Sequence, residues 1–459
     1  MNFTLESPVV FKIKDFQQFK KKAFAWAANA FDICCCLDNN GYTEGLLASE
    51  FECLIACGVQ DEIVLNDDAF SFEKLKQFQI EKQDWLFGFL SYDLKNSIEK
   101  LQSNNFDGIQ MPDLHFFQPQ IVLKISKNEC EVVRNTTVSN ENNHWQNATI
   151  FEDIENYNFV ENNTQNIDFQ LKTRFNKNKY LDKIEQIKNH ILRGDIFEMN
   201  FCQEFYGENV VLNPTQFFFK LNEIAKAPFS TFYKLKDKYL LCASPERFIK
   251  KEGQQLSSQP IKGTSKRANM LSQGMPLAEG INMEIDEQLK TALFNDPKNR
   301  SENVMIVDLV RNDLGKSCVA GSVKVTELFG IYSFSTVHQM ISTIEGTLRS
   351  NVHFIDALKN AFPMGSMTGA PKVRAMQLIE QYEITRRGLY SGAVGYITPE
   401  GNFDFNVVIR SILYNSKNRY LSFQVGGAII ADSVAEDEYE ECLIKAQGVL
   451  KALNKTLAP

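Results

Sequence analysis

The clearest helical pattern in the chain lies between residues 180 and 194. Apolar side chains at Tyr180, Ile184, Ile187 and Ile191 recur every three or four positions, and Gly194 follows them. This spacing places the apolar side chains on one face of a helix, and glycine is a common signal for its end. The pattern therefore predicts a helix that stops near residue 192.

Short apolar runs in the second half of the chain predict strands at residues 239–243, 393–397, 407–413 and 423–425. A turn-forming segment, residues 399–402, separates the second run from the third, so these two runs are predicted to form a hairpin. The fourth strand is expected to end at Gly426-Gly427. A closing helix is predicted through residues 438–450.

Polar residues interrupt this order between Val138 and Asn166, a stretch rich in Asn, Thr, Ser, Gln and Glu. Such a stretch adds little to a hydrophobic core, so a surface excursion or linker is predicted there. We therefore divide the chain into an N-terminal region, residues 1–170, with a polar linker at about 138–170, and a second region, residues 171–459.

Composition and charge exclude several classes of protein. The 459 residues are 44% hydrophobic and 23% charged, which is typical of a globular protein with a large core. A formal net charge of −8 argues against nucleic-acid binding, which needs a basic face. We find no signal peptide and no apolar run long enough to span a membrane. A cytoplasmic protein without a nucleic-acid or membrane partner is therefore expected.

Three adjacent cysteines, Cys34, Cys35 and Cys36, lie in an apolar stretch. The run is typical of a buried strand in a reducing compartment. The alternative is a metal site, although neighbouring side chains on a strand point to opposite faces.

Charged residues near the C-terminal end have helical spacing. Glu438 and Glu441 are three residues apart, and Lys445 is four beyond Glu441, so one helix face presents all three. They form either a solvated face with an ion pair or, together with Glu302, a set of oxygen ligands suited to Mg²⁺.

Three further motifs have open interpretations. Lys262, in Pro260-Ile261-Lys262-Gly263-Thr264, is either a surface charge or, if it is buried near cations, a nucleophile that loses its proton easily. The segment Gly365–Lys372 is either a tight turn or an anion-binding loop before a helix. Gly426-Gly427 is a turn or a place where the backbone approaches a ligand closely.

Taken in order, these segments resemble those of the chorismate-utilising enzymes, which include anthranilate, aminodeoxychorismate, isochorismate and salicylate synthases. The resemblance covers roughly residues 175–450 and includes Ser244–Phe248, Pro260–Thr264, Glu302–Gly315, Gly365–Lys372 and Glu438–Lys445. It implies an α+β fold in which two antiparallel β-sheets pack as a sandwich with helices outside. The N-terminal region would complete the sandwich, and residues 171–459 would form the chorismate-binding catalytic domain.

The resemblance also implies a role for each matching residue. Glu302 and Glu441 match Mg²⁺ ligands, with Glu438 as a further carboxylate beside the metal, which would hold the ring carboxylate of chorismate. Glu246 matches a general acid that protonates the departing C4 hydroxyl, and this role needs a raised pKa. The positions that match substrate-binding residues are Tyr390, Arg410, Gly426, Gly427 and Lys445 for the carboxylates, and His338 and Ser366 beside the ring.

Two positions distinguish the reactions within the family. Isochorismate and salicylate synthases have a water-activating lysine where this chain has Glu198, and amine-transferring members tend to have glutamine there. Anthranilate synthases have alanine at the position of Lys262, whereas aminodeoxychorismate synthases share the lysine. The resemblance therefore implies that Lys262 adds to C2 as the C4 hydroxyl leaves, after which ammonia attacks C4 and releases Lys262. Whether Lys262 is an obligatory covalent nucleophile, or mainly blocks attack at C2, stays open.

The implied activity is the conversion of chorismate and ammonia to 4-amino-4-deoxychorismate for p-aminobenzoate and folate synthesis. The ammonia is expected from a separate glutaminase subunit in a heterodimer, because no extra segment is long enough for that domain. The alternatives are anthranilate formation and a subunit that only binds or regulates a glutaminase. The usual Leu-Leu-Glu-Ser pattern of a regulatory tryptophan pocket is not found, so no tryptophan feedback is expected.

Overall fold

The structure, a computed structural model, describes residues 9–42, 45, 47–134, 147–160, 168–268, 279–334 and 337–456. Twenty strands lie within these residues, namely β1 (Val9–Lys12), β2 (Ile33–Asp38), β3 (Cys53–Leu65), β4 (Leu86–Leu90), β5 (Leu114–Ile125), β6 (Glu129–Arg134), β7 (Lys172–Thr173), β8 (Glu198–Gly207), β9 (Phe229–Leu235), β10 (Lys238–Ser244), β11 (Arg247–Glu252), β12 (Gln255–Gln259), β13 (Ile261–Lys266), β14 (Lys324–Ser333), β15 (Val337–Thr347), β16 (Gly369–Ala370), β17 (Ala393–Ile397), β18 (Phe403–Val407), β19 (Ser411–Asn415) and β20 (Tyr420–Ile429).

Ten α-helices lie in the same described residues. They are α1 (Phe16–Ala30), α2 (Ser71–Lys82), α3 (Asn147–Glu155), α4 (Lys177–Leu192), α5 (Pro214–Ala225), α6 (Glu279–Asn295), α7 (Pro297–Gly315), α8 (Phe354–Ala361), α9 (Lys372–Tyr382) and α10 (Ala435–Leu453). None of these helices is long and apolar enough to cross a membrane.

The strands form two antiparallel layers. The first layer follows the order β8–β20–β19–β10–β9–β2–β3, and the second follows β4–β17–β18–β11–β12–β15, with β13 and β14 beside β15. Strand β5 pairs with both β3 and β4 and so joins the layers. Side chains from both layers pack together between them, among them Cys35, Phe89, Tyr233 and Tyr396. The fold is therefore an α+β sandwich, as predicted.

Helices cover the outer face of each layer. Helices α1, α3, α4, α5 and α10 pack on the first layer, and α2, α7 and α8 pack on the second. Helix α4 is the predicted helix: Asn176 caps its first turn by accepting a hydrogen bond from the Lys179 backbone N–H, and Tyr180, Ile184 and Ile187 are buried on one face. The predicted C-terminal helix is α10.

The polar stretch 138–166 is not simply a linker. Helix α3 lies within it, and Ile150, Phe151 and Ile154 join the core cluster of the first layer. Three apolar side chains at helical spacing were enough to fix a helix among polar neighbours. Two parts of the predicted linker, residues 138–146 and 161–167, lie outside the described residues.

The cysteine run forms strand β2, as predicted. Cys34 and Cys36 face the cluster under the helices, whereas Cys35 faces the interior between the layers. Within the described residues, no group of three or more His, Cys, Asp or Glu side chains could hold a metal ion.

Two strand predictions need correction. The run 407–413 is not one strand, because β18 ends at Val407 and β19 begins at Ser411. The predicted hairpin consists of β17 and β18. Strand β20 does not end at Gly426-Gly427 but continues to Ile429, because its pairing with β8 runs on through both glycines.

Candidate active site

The candidate site lies where the chain passes from one layer of the sandwich to the other. Glu246 lies in the short link from β10 in the first layer to β11 in the second. Arg410 lies in the return link from β18 to β19, with a positive φ of 51°. The backbone N–H of Val407 donates to the carbonyl of Glu246 at 3.0 Å, so the two links lie side by side. This crossing explains why the predicted strand 407–413 is broken.

A β-bulge presents Lys262 to the same site. The register of β13 against β15 shifts between Ile261 and Thr264, and bulges commonly re-aim side chains beside active sites. Gly263 has a φ of 98°, and a Cβ there would approach the Asn299 side chain of α7 to 3.1 Å. Glycine therefore fits this turn, which places the buried Lys262 beside α7.

The partner of Lys262 is Glu198, the first residue of β8. The Lys262 ammonium donates to Glu198 Oε1 at 2.6 Å, and both side chains are buried. Burial alone would lower the pKa of Lys262, but the carboxylates of Glu198, Glu302 and Glu246 outweigh it and raise that pKa. The sequence hypothesis of a lysine among cations was therefore wrong: Lys262 lies among carboxylates and rests as an ammonium.

Glu246 has the properties expected of a general acid. Its side chain is 3% exposed, and its Oε1 accepts a hydrogen bond from Ser366 Oγ at 2.6 Å. Burial raises the pKa of Glu246 to about 7, although Ser366, the Ile261 backbone, Lys262 and Arg410 all act to lower it. The carboxyl can therefore hold a proton near neutral pH. Glu246 and Ser366 also line a small cavity together with Val310, Leu314 and Met364.

Helices α7 and α10 bring a group of carboxylates together. Burial raises the pKa of Glu302 to about 7, and the nearby carboxylates of Glu198 and Glu441 add to the rise. Lys445, which donates to Glu441 Oε1 at 2.7 Å, holds the pKa of Glu441 below its ordinary value.

Glu438 is the most enclosed member of this group. It accepts hydrogen bonds from Ser433 Oγ at 2.6 Å and from Lys298 Nζ at 3.1 Å. By contrast, no hydrogen bond or ion pair from the described residues reaches the Glu302 carboxylate, which is 7% exposed. The described side chains do not form a set of three metal ligands by themselves, so Glu302 and Glu441 would need water or substrate oxygens to complete a site for a divalent cation.

Arg410 and Tyr390 are two further residues predicted to bind the substrate. Within the described chain no hydrogen bond or ion pair holds the Arg410 guanidinium, and burial lowers its pKa to about 10 even though Glu246 acts to raise it. The buried Tyr390 hydroxyl lies 3.6 Å from Cys202 Sγ. A guanidinium without a protein partner is suited to bind a substrate carboxylate.

Gly427 faces the charged side of α10. A Cβ at this position would lie 3.2 Å from Glu438 Oε2 and 3.7 Å from Lys445 Nζ. The Lys445 ammonium donates to the carbonyl of Gly426 at 2.9 Å. The predicted proximity of Gly426, Gly427, Glu438, Glu441 and Lys445 is thus present in the structure.

His338 lies in a different hydrogen-bonded group, beside α6. Its Nε2 is 3.0 Å from Asp286 Oδ1, and its Nδ1 is 2.9 Å from Ser333 Oγ. Asp286 also accepts from Arg267 and from the backbone N–H of Ala268. Among the described residues, the hydrogen bonds of His338 thus connect it to α6 and β14 rather than to Glu246 or Lys262.

The sequence did not identify Glu198 as the partner of Lys262. A signal was present, because an acidic residue that opens an apolar strand and is buried needs a cationic partner. The identity of that partner could not be found from the sequence, since Glu198 and Lys262 are 64 positions apart.

These features define an enzyme site for a small anionic substrate, with a buried lysine, a protonatable carboxyl and an arginine free to bind a carboxylate. The chain belongs to the family of chorismate binding enzymes, which matches residues 34–451.

Individual relatives agree with this family. Aminodeoxychorismate synthase component 1 of Escherichia coli (strain K12) is 34% identical over 375 residues, which cover 81% of this chain and 78% of that protein. Anthranilate synthase component 1 of Bacillus subtilis (strain 168) is 38% identical over 284 residues, which cover 62% of this chain and 52% of that protein. The crystal structure of anthranilate synthase component I from Streptococcus pneumoniae TIGR4 superposes with a TM-score of 0.73 at 26% identity, covering 89% of this chain and 94% of that one.

Proposed function

We propose that this protein converts chorismate and ammonia to 4-amino-4-deoxychorismate. The central observation is the buried Lys262, whose charge interacts with the protonatable Glu246 across the site. Relatives named aminodeoxychorismate synthase component 1, from Escherichia coli and Bacillus subtilis, each align with 81% of this chain and support this product over anthranilate.

Lys262 supplies the first nucleophile in this proposal. Its nitrogen bonds to C2 of chorismate, two ring double bonds shift, and the C4 hydroxyl departs. Glu246 protonates that hydroxyl, which leaves as water, and the proton that Lys262 loses restores Glu246. Ammonia then attacks C4, the double bonds shift back, and the electron pair of the C2–nitrogen bond returns to Lys262. The amino group therefore ends para to the ring carboxylate.

The surrounding residues orient the substrate. The unpaired Arg410 guanidinium and the Tyr390 hydroxyl would bind one carboxylate of chorismate, and Lys445 with the backbone of Gly427 would bind the other. Ser366 holds Glu246 by a hydrogen bond and so fixes the direction of proton transfer.

We infer that Mg²⁺ is the cation held by Glu302 and Glu441, with Glu438 beside them. When bound, the metal would neutralise the ring carboxylate of chorismate and fix its position. A separate glutaminase subunit is proposed as the source of ammonia, and the name component 1 of the relatives supports a second component.

A product assay tests the proposed function. Purified protein, chorismate, Mg²⁺ and ammonium chloride are expected to give 4-amino-4-deoxychorismate, identified by chromatography and by its conversion to p-aminobenzoate with an added lyase. Fluorescent anthranilate as the main product would contradict the proposal. No turnover of chorismate, with the fold intact, would favour a subunit that only binds a glutaminase.

Magnesium binding is expected to weaken as the pH falls through about 7. Glu302, with a pKa of about 7, takes up a proton below that pH, and the proton competes with the metal for the carboxylate. Thermal melts with and without MgCl₂ should therefore show more stabilisation at pH 8 than at pH 6. Glu302→Gln should bind Mg²⁺ at least about tenfold more weakly. If MgCl₂ stabilises Glu302→Gln as much as it stabilises the unmodified protein, Glu302 is not a metal ligand. The matched control is Glu327→Gln, a glutamate on β14 outside this carboxylate group.

A further inference from the structure

The two carboxylate oxygens of Glu198 have different surroundings. Oε1 accepts the hydrogen bond from Lys262 Nζ at 2.6 Å. Oε2 is buried and has no hydrogen-bond partner among the described residues. The side chain is 1% exposed, so bulk water does not readily supply the missing donor.

An unpaired buried acceptor of this kind is costly. Leaving a buried polar group without a partner destabilises a protein by about 1–3 kcal/mol, and more when the group is charged. The backbone of Glu198 is held in place by the pairing of β8 with β16, in which Ala370 lies opposite Glu198. A donor supplied by a ligand removes the cost.

The charges around Glu198 favour a cationic or N–H-bearing ligand. Glu302 and Lys298 face the site from α7, Glu246 from the link after β10, Glu441 with its partner Lys445 from α10, and Lys262 from β13. Counting Glu198, four carboxylates thus lie among three ammonium groups. An anion placed directly against Glu198 Oε2 is repelled, whereas a cation or an N–H group is attracted.

We propose that Glu198 Oε2 binds the incoming ammonium or ammonia, so that one carboxylate holds both nitrogens of the reaction. The inference rests on the proposed function. The two oxygens of a carboxylate are separated by one carbon, and C2 and C4 of chorismate are likewise separated by one ring carbon. Nitrogens bound to the two oxygens therefore lie on the same carboxylate, and each can approach a different one of these two carbons.

Glu198 also accounts for the protons that move when ammonia attacks C4 and Lys262 is released. Ammonium on Oε2 passes one proton to the carboxylate and becomes ammonia, whose lone pair forms the bond to C4. The bond between C2 and Lys262 breaks, the electron pair returns to the lysine nitrogen, and that nitrogen takes the proton from Glu198. The products are a C4 ammonium and the Lys262 ammonium, which restores the resting ion pair.

The variant Glu198→Gln tests this site. An amide keeps the shape but offers one neutral acceptor oxygen, so it serves one nitrogen and passes no proton. At pH 7 the KM for total ammonium should rise at least about tenfold, the loss expected for one charge-assisted hydrogen bond, while the KM for chorismate stays within about threefold. Raising the pH to 9 should bring the variant's KM back toward the original value, because more neutral ammonia is then present. Glu129→Gln, a surface change, is the matched control.

A binding measurement separates this inference from the proposed function. Ammonium chloride should raise the melting temperature of the original protein by about 1 °C relative to tetramethylammonium chloride at equal ionic strength with Mg²⁺ present, and Glu198→Gln should lose that shift. An unchanged ammonium KM and an unchanged shift in Glu198→Gln would overturn the site, as would a loss of Mg²⁺ binding in place of ammonium binding. A protein that shows the ammonium shift but makes no aminated product would overturn the proposed function and leave the ammonium site standing.

Discussion

Replacement of Lys262 by alanine is expected to reduce 4-amino-4-deoxychorismate formation by roughly 10³-fold, in the range seen when a residue that acts on the reacting atoms is removed. The lost amine is the group proposed to bond to C2, so ammonia alone must attack the ring. With the smaller side chain, ammonia also reaches C2, and part of the product is expected to be anthranilate. Chromatography of the products, with fluorescence detection of anthranilate, measures both effects.

The control for this variant must separate chemistry from folding. Lys262→Ala leaves Glu198 buried without its cation, and breaking a buried ion pair costs about 3–5 kcal/mol. Lys262→Arg keeps a positive charge beside Glu198 but has no nucleophilic amine at neutral pH. We expect the arginine variant to be folded and inactive. Substantial activity of Lys262→Arg, or an unchanged rate and product with Lys262→Ala, would contradict a covalent role for the lysine.

Glu246→Gln is expected to lower kcat by about 10²–10⁴-fold with a smaller change in the KM for chorismate, because general acid catalysis contributes about that much. The amide cannot protonate the departing hydroxyl, although it fills the same space beside Ser366. Steady-state kinetics with chorismate measure the change. If kcat of Glu246→Gln stays within about threefold of the original, a different group protonates the departing hydroxyl.

The pH profile gives this prediction a second readout. The proposed acid must be protonated at the start of the reaction, and the pKa of Glu246 is about 7, so kcat should fall as the pH rises above 7. Ser366 donates a hydrogen bond that acts to lower this pKa, so Ser366→Ala should move the falling limb to higher pH. If kcat of Ser366→Ala falls at the same pH as kcat of the original protein, a group other than Glu246 causes the fall.

The resemblance of the ordered motifs identified more of the site than the local patterns did. Glu438, Glu441 and Lys445 could be placed on one helix face from spacing alone, because the helical repeat is local. The structure agrees with both interpretations in part, because Glu438 is buried near Gly427, whereas Glu441 is half exposed and forms an ion pair with Lys445. The charge of the side chains around Lys262 could not be predicted from the sequence. These side chains are carboxylates that come from β8, α7 and the link after β10.

The sequence by itself determined the family and some of the regular elements. Apolar patterns located α4, α10 and the strands β2, β10, β17 and β20, because such patterns reflect which side of an element is buried. The tertiary structure decided the break between β18 and β19, the helix inside the polar stretch, and the pairing of Lys262 with Glu198. These features depend on contacts between segments distant in the chain. The raised pKa values of Glu246 and Glu302 likewise arise from burial and from charges on other elements, which no local pattern specifies.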